Sequence, residues 1–402
     1  MSRSPGHSSV RKGILMTTRL ALKTMSLAIV AIACATAPVP RAERQQTAPA
    51  SPPSKKNPYL KMSQPWPEPA VLQARRTDAE RRPIFQKTEP LAFTLAADFK
   101  TINKDRKPES TARYPGLLSM TDERGREYTL HVRLSPRGHL RRMARTCEFV
   151  PLRVEFVPEE ISGTVFEGQT NMKLGAHCQD EKAFDQYVLR EYLTYPLFNL
   201  VTPRSFRARP ARATYVDAKT QKTVTTRYAV FLEHENDVAR RLGGRDVNLP
   251  RTEFKDFHAE TLNTMMLFEY MIGNTDFSLW ANHNVVFVQD PERTLFPVPF
   301  DFDLTGLAHP PYAIPDRRFP IRSVSDRLYR GPCRTVDDLE ASAALFRSKH
   351  TAMTSMIDGM KELESQTRSE MKDYLDGFFR SIQNPTSIKK QFVDGCKPAP
   401  TM

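Results

Sequence analysis

The sequence predicts an α+β protein in two lobes, with a strand-rich first half that holds one helix and a helical second half. Three observations carry this. Several segments between residues 117 and 232 alternate apolar and polar side chains with a period of two. One stretch among them, Phe184 to Leu200, switches to helical spacing. Beyond residue 234 helical periodicity dominates, interrupted by a single loop-strand-loop section. The 402 residues are 40% hydrophobic and 26% charged, an ordinary globular composition that suits two lobes or two domains. No apolar run approaches the ~20 residues of a membrane span.

Residues 1–42 hold Arg3, Arg11, Lys12, Arg19, Lys23 and Arg41, no acid, and an apolar run from Met25 to Ala37. A basic flank, a short apolar core and small residues at 33–37 form the pattern of an export signal. Met16 offers an alternative start, and an uncleaved anchor helix is the alternative reading. Ala31-Ile32-Ala33-Cys34 resembles a lipoprotein cleavage box with Ala in the usual place of Leu, which leaves lipid anchoring at Cys34 as an option. The formal net charge of +13 falls to +7 without those six cations. What remains is spread out and lacks a basic stripe interleaved with aromatics, which argues against nucleic acid as a partner. The expectation is an exported protein, periplasmic or extracellular, with no transmembrane span in its mature chain.

Residues 43–90 are rich in Pro, Gln, Ala, Lys and Arg and read as a tether or an irregular N-terminal extension. Order begins near Leu91. Leu117–Met120 and Tyr128–Leu134 read as strands around the turn Asp122-Glu123-Arg124-Gly125. A polar loop with Arg137, Gly138, Arg141 and Arg142 follows, then strands over 151–157 and 170–176. Cys147 precedes the first of these and Cys178 follows the second, so antiparallel pairing brings the two level and predicts a disulfide, leaving Cys333 to pair with Cys396. No C-x-x-C or Cys/His pair suggests zinc. The helix from Phe184 presents Tyr187, Val188, Glu191, Tyr192 and Tyr195 at helical spacing and ends before Pro203. Strands around 211–215 and 228–232 lead to Glu233, after which 237–242, 256–272 and 336–382 read as helical.

Chemistry concentrates in three places. Gly273-Asn274-Thr275-Asp276 is followed by Asn282-His283-Asn284 directly before an apolar strand at 285–288. Pro299-Phe300-Asp301-Phe302-Asp303 sets two carboxylates in an apolar stretch, which costs several kcal/mol unless they are paired or metal-bound. Upstream, Lys173 interrupts a strand and Glu191 lies in the next helix. Phosphoryl transfer needs a carboxylate at the attacking hydroxyl, hard oxygen ligands for Mg²⁺, and a lysine on the phosphates. Asp276 can also be read as a turn former, Glu191 as a solvated helix face, and His283 as a structural neighbour rather than a base. No nucleophile elbow, zinc helix or Walker-type loop competes.

In this order the motifs resemble the CotH-type spore-coat kinase family and, more distantly, HipA-type kinases, over residues 125–306. The resemblance implies a bilobal protein-kinase-like fold, with a strand-rich N-lobe over 91–233 and a helical C-lobe over 234–402. It implies that Lys173 contacts nucleotide phosphates with Glu191 as its ion-pair partner, and that Arg137 lies over the phosphates. Glu233 would end the hinge strand beside the nucleotide. Asp276 would be the catalytic carboxylate, with Asn284, Asp301 and Asp303 as metal ligands. The implied cofactors are ATP and Mg²⁺ or Mn²⁺, and the implied acceptor is a protein or cell-envelope hydroxyl. There is no Gly-rich loop, and Asn274-Thr275-Asp276 stands where His-Arg-Asp is usual. The alternative is therefore a catalytically degenerate envelope binding or assembly protein. The basic stretch Pro310–Arg330 reads equally as a substrate-facing loop or an irregular crossing.

Overall fold

The computed structural model describes residue 57 and residues 59–396. The expected export signal lies outside these residues. Strands β1 (Leu91–Ala97), β2 (Tyr114–Thr121), β3 (Glu127–Pro136), β4 (Leu152–Phe156), β5 (Asn171–Gly175), β6 (Ala208–Asp217) and β7 (Thr223–Leu232) form one closed, mixed barrel in the order β1-β2-β3-β4-β5-β7-β6. A second sheet joins β8 (Arg245–Val247), β9 (Val285–Gln289) and β10 (Leu295–Pro299). Helices α1 (Leu60–Ser63), α2 (Pro69–Glu80) and α3 (Phe99–Ile102) are interspersed early. Helix α4 (Lys182–Asn199) follows β5, and α5 (Glu235–Arg241), α6 (Ala259–Ile272), α7 (Val336–Gly359), α8 (Ser365–Ser381) and α9 (Pro385–Ile388) occupy the C-terminal part.

The barrel corrects the expected bilobal protein-kinase-like fold. Strand β1 pairs antiparallel with β2 on one side and parallel with β6 on the other, from Leu91↔Ala211 to Ala97↔Asp217. Both edges of the strand-rich half are thereby used, where a kinase-like N-lobe has an open sheet. The physical driver is alternation in β1, which sends Leu91, Phe93, Leu95 and Ala97 inward. There they meet Leu118, Leu130, Val154, Leu174, Ala213, Tyr215 and Phe231. The two halves also share apolar packing: Leu189, Tyr195 and Phe198 of α4 and Val230 and Leu232 of β7 belong to the same core as Phe268 of α6, Phe346 of α7 and Phe378 of α8. Each such large side chain contributes about 1.5–3 kcal/mol on burial.

Part of the stretch read as a tether is folded. Pro69 begins α2 where its missing N–H is harmless. Just beyond this helix Arg82 pairs with Asp237 of α5 at 3.2 Å, and Arg207 donates to the Ala79 and Glu80 carbonyls at 2.7 and 2.9 Å. Ala79 and Ile84 are fully buried. This segment is held by charge and capping more than by an apolar face, so it carries no strong hydrophobic period.

Both expected disulfides form, Cys147–Cys178 with Cα atoms 4.5 Å apart and Cys333–Cys396 at 5.7 Å. The first ties the loop after β3 to the segment after β5, and the Glu148 and Phe149 N–H groups both donate to the Cys178 carbonyl. Among the described residues no helix is long and apolar enough to cross a membrane. Disulfides accord with an oxidising, exported setting.

Candidate functional site

Helix α6 ends at Gly273, whose φ of 68° places it in the left-handed region where a side chain would be strained. A Cβ there would also run into the Tyr374 hydroxyl. Asn274 then accepts from the Asp276 N–H at 2.8 Å, an Asx turn that projects the Asp276 carboxylate. Ser278 and His283 bridge by two backbone hydrogen bonds, folding 278–283 into a tight return. Asn282 and Asn284 carry positive φ of 49° and 55°, a conformation that Asn bears at low cost. The return brings Asn284 Nδ2 to 2.7 Å from the Asp276 carbonyl and 3.1 Å from its Oδ2, while His283 Nε2 lies 3.2 Å from Oδ1. Asp276 draws the His283 pKa upward through this bond.

The β9–β10 hairpin returns the chain to the same place. Phe300 N–H donates to the Asn284 carbonyl at 3.0 Å. Asp301 follows at φ 66°, its N–H donating to the Tyr195 hydroxyl of α4 at 3.2 Å. A non-glycine residue held at positive φ, here with its own N–H and that of the preceding residue both bonded, is the kind of strain that gathers at functional sites.

A basic wall faces these acids. Arg137, just after β3, reaches Asp301 at 3.6 Å. Arg141 is buried, lies 3.6 Å from Asp303 and 3.7 Å from Glu191, donates to the Ala176 carbonyl, and sits 5.8 Å from the centre of the Tyr312 ring. Two carboxylates share one guanidinium in a desolvated space. Burial pushes Glu191 up, and Asp303 adds to the push. Burial raises Asp303 as well, with Asp301 as the next cause.

Lys173 of β5 is buried with Nζ 2.5 Å from Glu235 and 3.8 Å from the centre of the Phe300 ring. Burial lowers its pKa against the pull of Glu235. Against the upward push of burial, Lys173 draws the Glu235 carboxyl down to about 2.

The structure thus brings Asp276, Asn284, Asp301, Asp303, Arg137 and Glu191 together, with Lys173 behind Phe300. Two expected roles are corrected. Lys173 pairs with Glu235 rather than Glu191, because Glu235 opens α5 beside β5 while Glu191 is taken by Arg141. Glu233 does not present its carboxylate to the site. It is fully buried, 2.7 Å from Arg207 and 3.0 Å from Arg241, and anchors the start of α5. Sequence reasoning gave no role to Arg141, Glu235, Tyr195 or Tyr312. The Arg141-Arg142 pair beside Arg137 and the spacing of Tyr195 four residues after Glu191 were the available signals.

Among the described residues no group of three or more His, Cys, Asp or Glu side chains is placed to hold a metal ion unaided. The donors at this rim are carboxylate and amide oxygens, which suit Mg²⁺, an ion that takes few protein ligands and completes its shell with water and phosphate. A separate cleft of about 580 Å³, bounded by Arg76, Arg81, Arg204, Asp290 and Phe296, includes none of these site residues. No family model matches the chain, and no curated protein does.

Proposed function

We propose that this protein is an exported phosphotransferase that moves phosphate from Mg-bound ATP to a hydroxyl of a protein or cell-envelope acceptor. The observation that carries the reading is a cluster where Asn284 holds Asp276 while Arg137 and Arg141 lie 3.6 Å from Asp301 and Asp303 respectively. Oxygen ligands opposite guanidinium groups complement a cation–triphosphate pair from both sides. In this reading Asp301, with Asp303 and Asn284, would hold the metal, which would screen phosphate charge. Asp276 accepts the acceptor's proton, with His283 and Asn284 fixing its orientation. Arg137 and Arg141 bind phosphate oxygens, and Lys173 stays tied to Glu235 beside them. The site lies in the periplasm or outside the cell, and Cys34 would tether it only if lipidated.

A second reading has specific support. Asn284 spends its amide on Asp276, Asp301 is occupied by Arg137, and Lys173 is neutralised by Glu235. A site so self-satisfied suits a degenerate binding or assembly protein, as does the scarcity of nucleotide outside the cytoplasm.

Parallel incubations with γ-labelled and with α-labelled ATP, each with Mg²⁺ or Mn²⁺, test the choice. The active reading expects label transfer that falls by about 100-fold or more in Asp276→Asn and in Asp301→Asn. It also expects a melting temperature raised by nucleotide plus metal. Absence of both overturns it, and label arriving only from the α-phosphate reassigns it to nucleotidyl transfer.

A further inference from the structure

The segment from Leu307 to Arg334 runs beside the loop that carries Asp276, and two of its arginines, Arg318 and Arg330, lie near that carboxylate. Arg330 donates to the Thr275 and Phe277 carbonyls at 2.8 and 2.7 Å, locking the crossing onto the loop that carries Asp276. Its guanidinium also covers the Phe277 and Phe319 rings at 4.8 and 4.4 Å. Arg318 pairs with Asp316 and lies within electrostatic reach of Asp276. Arg317, Arg318 and Arg322 are exposed. Arg317 has no ion-pair partner among the described residues. Between these arginines and the arginines of the inner wall, the Asp276 side chain is itself 43% exposed and the adjoining His283 side chain 48%. The approach to Asp276 is therefore open, with Arg318 and Arg330 beside it and the exposed Arg317 and Arg322 on the same segment. On the same segment Ile314 is 78% exposed, the highest value among the exposed large hydrophobic residues described.

Resting on the phosphotransferase reading, we propose that the crossing segment is the acceptor-docking surface and that it selects acidic peptides. An acceptor hydroxyl must come within about 3 Å of Asp276 to lose its proton, so residues beside it in the peptide pass Arg317, Arg318 and Arg322. Asp or Glu at those flanking positions meets complementary charge, whereas Lys or Arg meets repulsion, and both effects build specificity. The exposed Ile314 favours a peptide over a polyanionic glycan, because a peptide can offer an apolar side chain between its acids. Anchoring through Arg330 holds this surface in fixed register with the catalytic carboxylate.

The experiment uses the full chain, Mg-ATP, and Ser/Thr peptides matched except for flanking Glu or flanking Lys, with a sulfated glycan as a third acceptor. The expected result is a kcat/KM at least about tenfold higher for the Glu-flanked peptide, a preference that high salt weakens. Arg317→Glu with Arg322→Glu should erase or reverse that preference while nucleotide-dependent thermal stabilisation stays unchanged. Equal use of both peptides, preference for the Lys-flanked one, or labelling of the glycan alone overturns the inference. Nucleotide binding without labelling of any peptide also overturns it and leaves the nucleotide reading standing. Absence of nucleotide binding removes that reading and this one together.

Discussion

Asp301 and Glu233 are both acids beside arginines, yet they do opposite things, and the difference is solvent. Asp301 keeps a side chain 32% exposed, so its carboxylate is open to partners other than Arg137. Glu233 is wholly enclosed with Arg207 and Arg241, and removing its charge would strand two guanidinium groups. Glu233→Gln is therefore expected to lower unfolding stability by about 3–5 kcal/mol. Chemical denaturation checks this, and nucleotide-dependent stabilisation of the folded fraction should persist. A smaller stability loss with nucleotide response abolished would restore the role expected from sequence. The three polar residues of the proposed site stood out because turn-forming Asn and Asp, and acids flanked by Phe, advertise themselves without knowledge of the fold. The pairing of Lys173 was not legible. Which acid faces a strand lysine depends on the rotation of α4 and on where α5 begins, and neither is encoded near residue 173.

At the level of elements, the chain just after β5 carries a conflict that pH should expose. His177 is fully buried against Phe149, at 4.5 Å between ring centres, and neither of its ring nitrogens has a hydrogen-bond partner among the described residues. Burial lowers its pKa to about 3, with Asp180 pulling the other way. The folded state therefore resists protonation that the unfolded chain accepts near 6.5. The neutral ring's contribution is fully present above that unfolded value and is lost progressively as pH falls from about 6.5 toward 3. Urea unfolding at pH 7.5, 6 and 4.5 should show a stability decline of up to a few kcal/mol, and His177→Leu should flatten the part of it due to this residue. An unchanged slope would mean the ring is hydrated. Cys178, the next residue, holds the strand end to the arginine loop through the disulfide to Cys147, across a separation of 31 residues. Losing that bridge in Cys147→Ser/Cys178→Ser is expected to cost about 3–4 kcal/mol on the loop-entropy argument, measured as a shift in denaturation midpoint. The strands on both sides of this bridge could be read from alternation and level cysteines, since that hairpin is local. The pairing of Arg141 with acids from α4 and from the loop after β10 could not, because three distant segments meet there.

For the whole molecule, barrel closure is the property that local patterns leave unstated. Strands β1 and β6 are more than a hundred residues apart, and a strand with two neighbours alternates in the same way as one with a single neighbour. The same holds for the division into halves, since helical periodicity in α4 does not reveal that its apolar face is shared by the barrel wall and by α6 to α8. Closure can be tested with a pair of prolines. Successive residues in a strand point their N–H groups to opposite sides, so at an edge one of two neighbouring positions donates to no strand and tolerates proline. In β1, Thr94 is level with Ser119 and Thr214, and Leu95 with Leu118 and Tyr215, so strands flank both positions on both sides. Thr94→Pro and Leu95→Pro are therefore each expected to destabilise the protein by about 3 kcal/mol or more, read from denaturation midpoints. Tolerance of either one would make β1 an edge and return the strand-rich half to an open sheet. If both are costly, hydrogen exchange should also find the β1 and β6 amides opening together, as one cooperative unit, since neither strand can leave the barrel without unpairing the other.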